Sequence, residues 1–194
     1  MYSDCTDPIT DIIVPRKAGR VVWITGLSGA GKSVLAAALV ARLRMVDDEI
    51  LLLDGDELRE VFGATSVDAQ NYGRDKRTAL AMQYAHLCNI LAKQGFTVVI
   101  ATISLFKEVH EWNRENLQGY FEAYLRVPLE ELRRRDPKGI YRGFDAGEIK
   151  DVVGLDLPFD EPNSSDWILE FSPSQSVEKS VNELLNHLKS RMPL

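Results

Sequence analysis

Residues Gly26-Leu27-Ser28-Gly29-Ala30-Gly31-Lys32-Ser33 match the pattern G-x-x-x-x-G-K-[ST] without a mismatch. The chemistry of that pattern requires a particular frame, a strand entering and a helix leaving. Arg20–Thr25 (RVVWIT) is a short apolar run with β-branched residues and reads as a buried strand. Lys32–Arg44 is rich in Ala and Leu and reads as a helix. Between them the glycines let the backbone wrap a phosphate with several N–H groups pointing inward. The helix N-terminus adds partial positive charge. The segment therefore predicts nucleoside triphosphate binding: Gly26, Ser28, Gly29, Ala30 and Gly31 around the phosphates, Lys32 on the β- and γ-phosphates, and the Ser33 hydroxyl on Mg²⁺. A chance glycine-rich turn is the alternative, and the two flanks argue against it.

The rest of the chain repeats the alternation. Ile50–Asp54, Phe96–Ala101, Phe121–Val127 and Asp166–Phe171 read as further buried strands. Arg74–Gln94, closed by Gly95, Glu108–Leu117 and Leu129–Arg135 read as helices. Val177, Val181, Leu184, Leu185 and Leu188 mark one face of a closing helix. Near-continuous apolar strands alternating with helices imply an α/β fold, a parallel sheet with helices on both faces. Ligands of such sheets bind at the carboxyl ends of the strands. Residues 1–19 read as an extended leader and 20–194 as one domain. Residues 136–162, with four glycines, three prolines and many charges, read as a long irregular lid.

The motif alone leaves kinase, GTPase and ATPase open. A GTPase needs an Asn-Lys-x-Asp segment to read its base, and the sequence has none. A motor ATPase is usually longer. The small size and a basic loop favour a small-molecule kinase. The second strand ends in Asp54-Gly55-Asp56, followed by Glu57-Leu58-Arg59. Two carboxylates at a strand end beside the phosphate loop stand where an acceptor hydroxyl must sit for in-line attack. In that reading Asp56 orients or deprotonates the hydroxyl, Asp54 holds Mg²⁺ through water, and Arg59 clamps an anionic acceptor. The competing reading is a polar turn with Asp56 as a helix N-cap. Thr102-Ile103-Ser104 follows the third strand at the same edge; Ser104 either touches substrate or caps the next helix. Residues 133–142 hold five basic side chains, of which Arg135, Lys138 and Arg142 lie at or beyond a helix end. Such a loop can close over a triphosphate, exclude water and neutralise the transferring group.

Composition narrows the partners. Net charge is −6, from 29 acidic against 23 basic residues, which disfavours nucleic-acid binding. Cys5 and Cys88 are too few and too far apart for a disulfide framework or a zinc site. His86, His110 and His187 stand apart and read as structural or surface residues. The N-terminus lacks the basic start and apolar run of a signal peptide, and Phe96–Phe106 falls far short of the ~20 residues that span a bilayer. The expectation is a cytoplasmic protein with no membrane partner.

The blocks GLSGAGKS, LDGDELR, RRDPKGIY and AGEIKDVVGLDLPFDEP, in this order and spacing from Arg20 to Pro162, resemble the adenylylsulphate (APS) kinase family. That family moves the γ-phosphate of ATP to the ribose 3′-hydroxyl of adenosine 5′-phosphosulfate. The resemblance implies the P-loop NTPase kinase fold, five parallel strands in order 2-3-1-4-5, with ATP and Mg²⁺ as cofactors and a homodimer as assembly. It assigns Asp56 to the acceptor side, Arg59 and Arg77 to the substrate, Ser104 to the serine after the third strand, and Arg135, Lys138 and Arg142 to the basic lid. Departures cluster on the acceptor side. Leu80 replaces an Asn, Leu105 and Lys107 replace a Pro and an Arg, and Asp151-Val152-Val153-Gly154 replaces a Gly-Phe-Thr-Gly stretch whose Phe stacks on the acceptor's adenine. Tyr72 keeps the aromatic on the other side. The expected acceptor pocket therefore comprises Arg59, Tyr72, Arg77, Leu80, Ile103, Ser104, Arg142 and Val152. The pattern is similar to a branch that phosphorylates other nucleotides, such as cytidine diphosphoramidate kinases. A silent nucleotide-binding module is the rival of another class, and the intact Lys32, Ser33 and Asp56 argue against it.

Overall fold

A computed structural model describes residues 18–64 and 73–191. Five strands form one parallel sheet: β1 (Arg20–Gly26), β2 (Ile50–Asp54), β3 (Thr97–Ala101), β4 (Tyr120–Arg126) and β5 (Trp167–Glu170), in the order β2-β3-β1-β4-β5. This is the order implied by the resemblance. Among the described residues seven helices surround it: α1 (Lys32–Leu43), α2 (Gly55–Val61), α3 (Arg74–Lys93), α4 (Lys107–Asn116), α5 (Leu129–Arg135), α6 (Ile140–Asp145) and α7 (Val177–Arg191).

Strand alternation sends successive side chains to opposite faces, which explains two separate cores. Val22 and Ile24 of β1 pack with Leu35 and Leu39 of α1 and with Leu184 and Leu188 of α7. Val21 and Trp23 pack on the other face with Ala81, Ala85 and Cys88 of α3 and Val109 of α4. Being covered on both faces, β1 reads as an unbroken apolar run. Among the described residues no helix is long and apolar enough to cross a membrane.

The register levels the carboxyl ends of three strands. Ala101 pairs with both Ile24 of β1 and Asp54 of β2. The phosphate loop, the Asp54-Gly55-Asp56 turn and Thr102-Ile103-Ser104 thus leave the sheet side by side. Two expectations need correction. The segment 136–162 is not wholly irregular, because it contains α6. His110 is not isolated: its Nδ1 lies 3.2 Å from the carboxylate of Glu122, a β4 residue only 2% exposed, which also accepts hydrogen bonds from the Tyr120 and Ser165 hydroxyls.

Candidate active site

The phosphate loop needs glycine for two distinct reasons. A Cβ on Gly26 would stand 2.8 Å from the Leu125 carbonyl oxygen, so only glycine lets β1 turn out this close to β4. Gly29 and Gly31 have φ of 79° and 97°, the left-handed region that side chains disfavour. The loop then opens directly into α1, whose first N–H groups lack intrahelical partners and face the loop's concavity. Lys32 Nζ donates to the Leu27 carbonyl at 2.8 Å. Enclosure and the positive charge of Lys138 push the Lys32 pKa down to about 7, with Asp54 opposing and Arg59 adding to the effect.

The two carboxylates of the β2 end have different tasks. Asp54 Oδ2 accepts from the Ser33 hydroxyl at 2.5 Å, and Asp54 Oδ1 accepts from the Asp56 N–H at 2.8 Å. Asp54, not Asp56, is therefore the N-cap of α2. This leaves the Asp56 carboxylate for other partners, and it takes Arg59, one turn on, and Lys138 from the segment after α5. Ser33, Asp54, Asp56, Arg59 and Lys138 all line one cavity of about 380 Å³ with Ser28, Gly29, Gly31 and Lys32. The Ser33 and Asp54 oxygens are hard donors of the kind Mg²⁺ takes beside phosphate and water, so the residues fit that ion.

A second cavity of about 260 Å³ adjoins the first, and Gly31, Val34 and Arg135 line both. Ala30, Leu35, Leu169, Phe171 and Gln175 complete much of its wall. The Arg135 guanidinium lies 4.9 Å from the Phe171 ring centroid, and its Nε donates to Glu131 at 2.7 Å. Sequence reasoning placed Arg135 at the phosphates and missed Phe171 and Gln175. The available signal was that DWILEF ends at the same sheet edge as the loop.

A cleft adjoining the first cavity through Arg59, Thr102 and Ile103 is lined also by Arg77, Leu80, Ser104 and Val153, over Tyr84 and Phe106. The Ser104 hydroxyl bonds Thr102 Oγ1 at 2.9 Å and does not cap α4; Asp160 does, accepting from the Lys107 N–H at 2.9 Å. Arg77 donates to the Asp151 carbonyl at 2.9 Å, which ties α3 to the segment 136–162. There Asp156 accepts from the N–H groups of Asp151 (2.9 Å) and Val152 (2.7 Å), closing a turn. The turn puts Val153 in the cleft, while Val152 is buried beside it. Arg142 lines none of these cavities; it is exposed and paired with Asp136. Tyr72 lies outside the described residues.

This geometry has counterparts among known proteins. The family model for adenylylsulphate kinase matches residues 18–170. A cytidine diphosphoramidate kinase of Campylobacter jejuni is 36% identical over 168 residues, covering 87% of this chain and 95% of the relative. An adenylyl-sulfate kinase of Paraburkholderia xenovorans is also 36% identical, covering 88% and 93%. The structure of the Mycobacterium tuberculosis APS kinase CysC in complex with AMPPNP and APS superposes with a TM-score of 0.75 at 32% identity, covering 89% of this chain and 99% of that one.

Proposed function

The chain belongs to the adenylylsulphate kinase family of phosphotransferases, which act on an alcohol group, and on that premise we propose that it moves the γ-phosphoryl of ATP to the 3′-hydroxyl of a ribonucleotide bearing an anionic 5′ group. The observation that carries this reading is Asp56 in the phosphate-loop cavity, paired there with Arg59, which also lines the cleft with Arg77. Triphosphate binds on the loop with its base in the cavity of Arg135 and Phe171. Lys32 and the N–H groups of the loop stabilise charge on the γ-phosphoryl as it transfers. Asp56 accepts the proton of the acceptor hydroxyl while its oxygen bonds to phosphorus and the bond to ADP breaks. Mg²⁺, held by Ser33 directly and by Asp54 through water, would neutralise the phosphate charge. Lys138 releases Asp56 and turns to the phosphates when nucleotide enters. Arg135 and Lys138 thus serve the donor, and Arg59 and Arg77 the acceptor's anion.

The acceptor follows from the cleft walls. Where the resemblance implies an Asn and a stacking Phe, the cleft has Leu80 and Val153, which offer neither an amide nor a ring, and its own rings, Tyr84 and Phe106, already face Phe62 and Arg74. A purine has the larger face and loses more than a pyrimidine from a missing stack. A cytidine 5′-diphosphate-type acceptor should therefore serve at least as well as APS; the relatives at 36% identity include kinases of both kinds and do not choose between them. A cytoplasmic homodimer belongs to the same reading. ADP release across both acceptors at fixed ATP and Mg²⁺ tests it. Asp56→Asn should leave ATP affinity nearly unchanged and lower turnover by roughly 10²-fold or more. A tenfold kcat/KM preference for APS would return the protein to sulfate activation, and intact turnover in Asp56→Asn would remove Asp56 from the chemistry.

A further inference from the structure

We propose that Gln175 reads the base of the donor nucleotide and selects an amino-bearing purine, with Glu183 of α7 holding its amide in the reading orientation. The inference rests on the donor assignment above. A triphosphate seated on the phosphate loop leads into the cavity that Gln175 lines, because Gly31, Val34 and Arg135 belong to both spaces. The polar wall groups other than Gln175 are already engaged, Arg135 with Glu131 and the Phe171 ring, Glu170 with Arg126, Ser172 with Ser174 and Ser180 with the Ser176 carbonyl, and the apolar remainder holds a ring without distinguishing one base from another. Discrimination requires a polar group at the edge.

Gln175 has a defined polarity. Its backbone N–H donates to the Ser172 carbonyl at 3.0 Å, fixing a turn after β5. Its side-chain Nε2 donates to Glu183 Oε2 at 3.2 Å. A carboxylate only accepts, so this contact assigns the amide: the NH₂ faces Glu183 and the carbonyl oxygen is left for the cavity. Glu183 is not part of the cavity wall, and among the described residues the Gln175 carbonyl oxygen accepts no hydrogen bond. The support is rigid. Ser176 Oγ accepts from the Lys179 N–H at 3.2 Å at the start of α7, and Leu184 and Leu188 lock the helix into the core beside α1.

A fixed carbonyl at this edge accepts a hydrogen bond from the exocyclic amine of adenine. Guanine carries a carbonyl at the same ring position, and two acceptors then face each other with no proton between them. Cytosine has an amine, but its single ring is shorter than a purine spanning from the ribose to that edge. Sites built around a hydrogen bond reject the analogue that cannot make it.

The test uses the full chain and two readouts: calorimetric binding of ADP and GDP without acceptor, and kcat/KM for ATP and GTP. The wild type should favour the adenine nucleotide by roughly tenfold or more in both. Gln175→Leu removes the acceptor and should bring the ratio below about threefold. Glu183→Gln keeps the shape but allows the amide of Gln175 to turn either way. It should narrow the ratio by about fivefold, chiefly through a lower KM for GTP with kcat unchanged. A merely structural role for Glu183 would lower both donors equally and leave the ratio fixed. Wild-type use of GTP equal to ATP, or an unchanged ratio in both variants, overturns the inference alone. Failure to bind either diphosphate overturns the kinase reading and this inference together.

Discussion

Lys32 sits where its charge is most needed and least favoured. Enclosure beside Lys138 and Arg59 lowers its pKa to about 7, so near neutral pH it is partly deprotonated before nucleotide arrives. Triphosphate supplies compensating negative charge and restores the proton. Nucleotide binding should therefore take up a proton, approaching one per site at pH 8 and fading toward pH 6. Calorimetry in buffers of different ionisation enthalpy measures this, and uptake independent of pH would contradict it. Lys32→Ala should lower turnover by roughly 10²-fold or more. At this scale the phosphate loop was legible because its chemistry is contiguous in sequence. Gln175 and Glu183 were not, because their pairing joins a turn after β5 to the second turn of α7. Val153 was missed by one position, since the turn that selects it depends on Asp156, and Asp151 enters that turn with φ of 58°.

The elements differ in how openly they announce themselves. Strands buried on both faces read as apolar runs, and the sequence placed all five within a residue or two of their observed ends. Helix α6 was hidden by the glycines and prolines around it. Its start is held by the buried Asp136, whose carboxylate accepts from the N–H groups of Tyr141 (3.2 Å) and Arg142 (3.1 Å). Burial alone would raise the pKa of Asp136; those hydrogen bonds outweigh it and hold the pKa below the ordinary value. The Tyr141 hydroxyl then donates to the Ser28 carbonyl at 2.9 Å, so α6 hangs from the phosphate loop itself. Tyr141→Phe should cost about 1 kcal/mol in urea denaturation and raise the ATP KM, because the loop loses its brace. The turn at 151–157 carries Val153, a wall of the proposed acceptor cleft. Asp156→Ala frees the N–H groups of Asp151 and Val152, and the acceptor KM should rise several-fold while the ATP KM holds. Equal changes in both KM values would show that the turn braces the whole site and not the acceptor wall.

The whole molecule separates chemistry from stability along the sheet axis. Phosphate loop, Asp56 and the cleft of Arg59 and Arg77 share the carboxyl edge, where the alternation of strands and helices implied that ligands bind. Nearer the amino ends, Glu122 faces the α4 side beside Trp23 in a buried polar network. Burial opposes its ionisation, but the hydrogen bonds and charge of His110, with Ser165 and Tyr120, hold its pKa below the ordinary value. Its contribution to stability is full above the unfolded pKa of about 4.3 and is lost as pH falls through the lowered value. Denaturation of wild type and Glu122→Gln should therefore differ more at pH 7 than at pH 3.5, and a constant difference would contradict the pairing. The sheet was legible from periodicity. This network was not, because a single Glu within YFEAYLR gives no sign of its partners on α4 and before β5. The proposed reaction is one event, transfer from the loop past Asp56 to a hydroxyl in the cleft of Arg59 and Arg77. Phosphorus NMR of the product formed from ATP, Mg²⁺ and a cytidine 5′-diphosphate acceptor reads that event directly. The expected products are ADP and a new monoester resonance coupled to the ribose H3′; phosphate released to water, or a phosphoryl group added to the 5′ diphosphate, would contradict transfer to the 3′-hydroxyl.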